Sequence, residues 1–110
     1  MTQALDFSNL FGLQGKRVLV TGASSGLGQH FAALLARAGA QVAVAARRVD
    51  KLQALVAELR AGGAQAEAFA MDVSNAASVR QAMAEIVAWC GVPDVVVNNA
   101  GVTVGKAALE

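Results

Sequence analysis

Tyrosine is absent from this sequence of 110 residues, and tryptophan occurs once against 25 alanines. A core of large interlocking aromatics is thereby excluded. What remains is small and branched aliphatic packing, the composition of closely apposed helix-on-sheet layers. The single cysteine, Cys90, cannot form an internal disulfide. Residues 1–10 carry Asp6 and no basic cluster ahead of an apolar stretch, so they do not read as a signal peptide. A reducing, cytoplasmic setting is the expectation. The single histidine, His30, cannot build a metal site alone, and no metal is expected. No apolar run approaches the roughly 18–20 residues that span a bilayer. Charge is sparse and balanced, with 9 Lys+Arg against 8 Asp+Glu and a net charge of +1. Without a basic footprint, neither nucleic acid nor an anionic membrane is an expected partner. Hydrophobic residues at 55% and charged residues at 15% are the reverse of a disordered composition. The length suits one small domain.

What is present is alternation. Residues 16–21 (KRVLVT) read as a strand ended by Gly22. Leu27, Phe31, Leu34, Leu35 and Ala38 then recur at helical spacing, with Gly39 at the C-terminal cap. Residues 41–46 form a second strand, and Leu52, Leu55, Val56 and Leu59 mark a second helix ended by Gly62 and Gly63. Residues 65–70 form a third strand. Ser74 is the expected N-cap of a third helix whose apolar face is Ala76, Val79, Met83, Ile86 and Val87. Residues 94–98 (DVVVN) form a fourth strand. Such apolar strands fit a parallel sheet covered on both faces, with βαβαβαβ connectivity. Right-handed crossovers give the order 3-2-1-4, with the third helix opposite the first two. Residues 1–15 are a leader, 16–101 the core and 102–110 a tail.

The first strand runs straight into Thr21-Gly22-Ala23-Ser24-Ser25-Gly26-Leu27-Gly28 and then a helix. Physically this is an anion cradle. Glycines allow a tight turn and close approach of a phosphate, and free amides at the helix start point at it. Ser24 and Ser25 add hydroxyls, and Gly28 lets the helix pack tightly. A glycine-rich turn without a ligand is the bland alternative, and the position after the first strand of a βαβ unit weighs against it. No Gly-Lys-Ser/Thr follows, which excludes a P-loop. The spacing is G-x3-G-x-G, not the G-x-G-x-x-G of the commoner dinucleotide fingerprint.

These motifs resemble those of the short-chain dehydrogenases/reductases. T-G-A-S-S-G-L-G is similar to that family's cofactor loop, and Asn98-Asn99-Ala100-Gly101 matches its N-N-A-G motif. Asp72-Val73 stands where the family commonly has an acidic residue and an aliphatic one beside the adenine. The resemblance covers roughly residues 13–104. It implies an α/β Rossmann-type fold, here half of a doubly wound domain, and an NAD(P)(H)-dependent oxidoreductase acting on alcohols and carbonyls. It also implies that Gly22, Ser24, Ser25, Gly26, Leu27 and Gly28 bind the pyrophosphate and adjoining ribose. Asp72 and Val73 would flank the adenine, and Asn99, Ala100 and Gly101 would line the ribose side. The family's catalytic serine and Tyr-x-x-x-Lys belong to the second half of its fold, and this sequence contains no tyrosine. A full member would be about twice as long. No catalytic residue is therefore assigned, and the chain alone is expected not to turn over an alcohol or carbonyl substrate.

The end of the second strand distinguishes the cofactors. In NAD-type members a carboxylate there accepts from the ribose hydroxyls; this sequence has Ala46, followed by Arg47 and Arg48. A guanidinium offers a fixed fork of donors suited to a phosphate monoester. By resemblance Arg47, joined by Arg48, contacts a 2′-phosphate, and NADP(H) is favoured over NAD(H). Asp50 lies beyond the strand, where it would cap the second helix. Two rivals belong to other classes. An S-adenosylmethionine methyltransferase also uses a glycine loop, but usually with an acid after the second strand. A non-catalytic nucleotide-binding or self-assembling module fits the missing second half.

Other residues have structural readings. His30 lies on the polar side of its helix, Cys90 and Trp89 end the third helix with no basic neighbour, and Met71 and Met83 fill the core. Asp72 has a lesser reading as a cap for the third helix, and Asn98 could tie adjacent loops. The fourth strand, guarded only by Asp94, would be an open sheet edge, so a homo-oligomer is expected.

Overall fold

The computed structural model describes residues 13–99; residues 1–12 of the leader and residues 100–110, including Ala100, Gly101 and the tail, lie outside them. The elements are β1 (Arg17–Thr21), α1 (Gly26–Arg37), β2 (Gln41–Ala46), a 3-10 turn (Val49–Leu52), α2 (Gln53–Ala61), β3 (Ala66–Ala70), α3 (Ala76–Cys90) and β4 (Val95–Asn98). All four strands are parallel, in the order β3-β2-β1-β4. This is the expected α/β Rossmann-type arrangement. Three strands begin one residue later than the sequence pattern suggests, within the usual latitude of element ends.

Alternation along the strands splits the core in two. Val18, Val20, Val42 and Val44 face α1 and α2 and pack with Ala32, Leu52, Leu55, Val56 and Leu59. Leu19, Ala43, Ala45 and Phe69 face the other way, against Ala82 and Ile86 of α3. The third crossover is therefore opposite the first two, as right-handed connections require. Fully buried aliphatic side chains such as Leu52 and Ile86 contribute about 1.5–3 kcal/mol each. The Phe69 and Trp89 rings, 5.9 Å apart, close the α3 side. Both Met71 and Met83 join this second core, as expected of them.

Helix ends follow local chemistry. α1 stops in a Schellman arrangement, with Gly39 N–H donating to Ala36 O and Ala40 N–H to Leu35 O. α2 repeats it through Gly63 and Ala64. Three helix expectations are corrected. The N-cap of α3 is Asn75, whose side chain accepts from Ser78 N–H at 3.1 Å, not Ser74. Ser74 instead bonds Asp72, which draws the chain into a turn one residue before the helix can begin. Asp50 does not cap α2; a 3-10 turn precedes that helix, and the carboxylate is taken by Arg48. Leu27, Ala76 and Val87 stand exposed, off the apolar faces assigned to them. Leu27 belongs to the first turn of α1, and Val87 follows the buried Ile86 on the solvent side of α3.

At the β4 edge, Val95 and Val96 are exposed. Asp94 turns away from that edge. Its carboxylate accepts from Arg17 N–H at 2.9 Å and pairs with the guanidinium at 3.3 Å. No helix among the described residues is long and apolar enough to cross a membrane.

Candidate functional site

The reversal in strand order falls between β1 and β4, and the chain leaves all four strands at the same end of the sheet. In open α/β sheets a crevice forms there, outside the carboxyl ends of the strands. Here it is a cleft of about 400 Å³, walled by Gly22, Ser24 and Ser25 after β1, Ala46 and Arg47 after β2, and Asn99 after β4. Met71, Asp72, Val73 and Ser74 close its β3 side. The topology thus gathers residues from Gly22 to Asn99 into one site.

The β1–α1 loop is held from within. Gly22 takes the positive φ of +63° that starts the turn. Ser25 is the N-cap of α1, and its hydroxyl accepts from Gly28 N–H at 3.0 Å and donates to Gly22 O at 3.1 Å. The Asn99 amide donates to Gly22 O at 3.1 Å and to Ser25 Oγ at 2.8 Å, so the end of β4 is tied to the loop. A Cβ on Gly28 would collide with Gly22 O and would stand 2.8 Å from Ala23 Cα and 2.9 Å from Asn99 Nδ2. Gly28 is needed for this closure. Gly26 differs: a Cβ there would meet nothing within 4 Å. Its bareness leaves room in front of the first helical turn, where unpaired amides await an acceptor.

Ser25 and Asn99, both expected as contact residues, hold the loop's shape, whereas the exposed Ser24 hydroxyl makes no hydrogen bond with another described residue. Gln29 braces the same segment, donating to Ser24 O at 3.2 Å. Gly26, Leu27 and Gly28 continue from the cleft wall into α1. Val73 is exposed at the cleft, and Asp72 beside it is only half-buried. The Ser74 hydroxyl and N–H, with a smaller contribution from the Arg47 charge, hold the Asp72 carboxyl below the usual carboxylate range. Arg47 and Asp72 both line the cleft, and the Arg47 charge acts on the carboxyl. Arg48 lies off the cleft, its Nη2 pairing with Asp50 at 3.0 Å.

Some groups escaped the sequence reading. Thr21, buried at the end of β1, donates from Oγ1 to Asn98 Oδ1 at 2.9 Å. The two are register partners across β1 and β4, a pairing that no local pattern in the sequence reveals. Asn98 therefore ties β1 to β4. Ser78 reaches back to accept from Asp72 N–H at 2.9 Å, anchoring the β3 wall to α3. Cys90 does have a basic neighbour, since Arg17 approaches its carbonyl. Burial nevertheless outweighs that charge and pushes the thiol pKa up, so the residue stays structural. His30 is exposed.

Comparison with known proteins agrees with this geometry. A family model described as short chain dehydrogenase matches residues 16–110. A D-threitol dehydrogenase of Mycolicibacterium smegmatis is 41% identical over 104 residues, covering 93% of this chain and 40% of that protein. A short-chain dehydrogenase/reductase structure from Mycobacterium marinum superposes with a TM-score of 0.77 at 41% identity, over 82% of this chain and 36% of that one. A metagenomic short-chain oxidoreductase solved in complex with NADP gives 0.76 at 42% identity, over 81% of this chain and 40% of that one. The chain spans 29% to 40% of the length of the curated relatives it matches.

Proposed function

The chain belongs to the short-chain dehydrogenase family, and on that premise we propose that it is the NADP(H)-binding portion of an oxidoreductase interconverting alcohols and carbonyls. The D-threitol dehydrogenase and the NADP complex among its relatives support the reaction class and the cofactor. One observation carries the reading. The β2 wall of the cleft is Ala46 and Arg47, where a carboxylate would exclude a 2′-phosphate.

The residues present fit a dinucleotide. The open space at Gly26 and the amides of the first turn of α1 receive the pyrophosphate, with Ser24 donating beside them. Ser25 and Asn99 keep that turn in place. Arg47 meets the 2′-phosphate with Arg48, Asp72 and Val73 flank the adenine, and Leu27, Ala100 and Gly101 complete the ribose side. The cofactor, when bound, supplies the hydride. The proton at the substrate oxygen needs a general acid/base, and these 110 residues have no tyrosine to provide it. Residues 16–101 act as the binding unit, in a cytoplasmic setting.

Isothermal titration with NADP+ and NAD+ tests the reading. NADP+ binds more tightly, and the purified chain shows no NADP-linked turnover of simple ketones or secondary alcohols. Equal affinities would refute the cofactor assignment; turnover that co-purifies with the chain would refute the division of labour. A second reading, a self-associating nucleotide-binding module, draws on the exposed Val95 and Val96 of β4. Sedimentation equilibrium at micromolar concentration separates the two: a two-fold dimer supports it and a monomer removes it.

A further inference from the structure

Beside the cleft lies a second open depression of about 520 Å³, formed by Ser24, Arg47, Arg48 and Lys51. Three cations border it, and the 3-10 turn that follows β2 brings the third of them, Lys51, one residue beyond Asp50. Arg47 and Lys51 use none of their side-chain nitrogens in a hydrogen bond or ion pair with another described residue. Arg48 is engaged. Its Nε and Nη2 donate to the two oxygens of Asp50 at 3.3 and 3.0 Å, a bidentate fork two residues apart. Both partners are about two-thirds exposed.

We propose that Arg48 and Asp50 form a displaceable latch on the 2′-phosphate seat, with Lys51 as its third cation, so that Asp50 limits and Lys51 strengthens the preference for NADP(H). This rests on the cofactor reading above and deepens it. The geometry of Arg48 with Asp50 is the one a guanidinium adopts with a phosphate, so the carboxylate occupies the donors that the ligand would use. An exposed ion pair contributes little net stability, and an incoming phosphate can replace it. The phosphate monoester carries close to two negative charges near neutral pH, and the four side chains sum to +2 with Asp50 ionised. Arg48 holds that carboxyl below its ordinary range, and Lys51 adds to the effect, so the charged form of Asp50 is the one that Arg48 binds.

Isothermal titration of NADP+ and NAD+ into the wild-type chain, Asp50→Asn, Lys51→Gln and Arg47→Ala tests the latch. The first substitution is expected to tighten NADP+ roughly fivefold, the effect of removing one charge a few ångströms from the doubly charged phosphate in a water-like dielectric, reduced by salt screening. Lys51→Gln is expected to weaken NADP+ by a similar factor, and NAD+ moves by less than about twofold in both. If Arg47→Ala lowers the NADP+/NAD+ ratio while Asp50→Asn leaves it unchanged or reduced, the latch is wrong and the cofactor reading stands. If the wild-type chain shows no preference, or binds neither nucleotide, the cofactor reading fails and the latch with it.

Discussion

The two parts of the candidate site are built in opposite ways. The β1–α1 cradle is braced from within: Ser25 Oγ has three partners, Asn99 reaches in from β4, and Gly28 has no room for a methyl group. The rim after β2 holds exposed cations and one local ion pair. A cradle ordered before its ligand arrives loses little entropy on binding and serves any dinucleotide. A rim of solvated charges is adjustable and screened by salt, and it discriminates by charge alone. On the proposed reading, affinity and selectivity are separated between these two parts of the site.

The strongest way to break the comparison is Gly28→Val. Two of the three nearest atoms are backbone and cannot move aside. Destabilisation of about 3 kcal/mol is expected, the upper end for overpacking, together with loss of both nucleotides. Denaturant unfolding beside titration measures it, and Gly26→Ala, whose added methyl meets open space, is the control that keeps its stability. Next is Arg47→Ala. A lost charge-assisted phosphate contact weakens NADP+ by about 2 kcal/mol, and NAD+ affinity stays where it was. An equal loss for both nucleotides would place Arg47 in the cradle. Asn99→Ala should have an effect of similar size, but a non-selective one. It removes two hydrogen bonds to the loop, worth about 1 kcal/mol each, and lowers the affinity of NAD+ and NADP+ alike.

The smallest effect concerns the third wall. The Asp72 carboxyl titrates below its ordinary value because Ser74 bonds its charged form. A carboxyl whose folded pKa is depressed adds stability above its unfolded pKa, near 3.9, and that stability is lost as pH falls through the folded value. Asp72→Asn should therefore flatten the acid limb of the stability–pH curve below about pH 4. Chemical denaturation at a series of pH values shows it, and an unchanged acid limb would mean that Ser74 does not select the ionised form.

Strand order and crossover handedness were legible because β-branched runs and helical periods alternate cleanly from Arg17 to Asn98. The glycine loop was legible because spacing dictates its backbone. The division of work inside it was not. Ser24 and Ser25 are adjacent and chemically alike, and only the fold shows that Ser25 is spent on the loop. Thr21 with Asn98, and Asn99 with Ser25, join residues more than seventy positions apart, through a register that no local pattern encodes. Ser74 and Asn75 are both good caps, and the choice fell to Asn75 because Asp72 captured Ser74. Asp50 was misplaced for a related reason: a carboxylate two residues from Arg48 finds the guanidinium before it finds a helix end.

The separation of cradle from rim is tested most directly by backbone amide chemical shifts of the isotopically labelled chain, titrated in parallel with NAD+ and NADP+. The account predicts that the amides of Gly26, Leu27 and Gly28 move with both nucleotides, while those of Arg47, Arg48 and Lys51 move substantially only with NADP+. Identical shift patterns for the two nucleotides, or shifts centred at the opposite end of the sheet around Gly39 and Gly63, would contradict it.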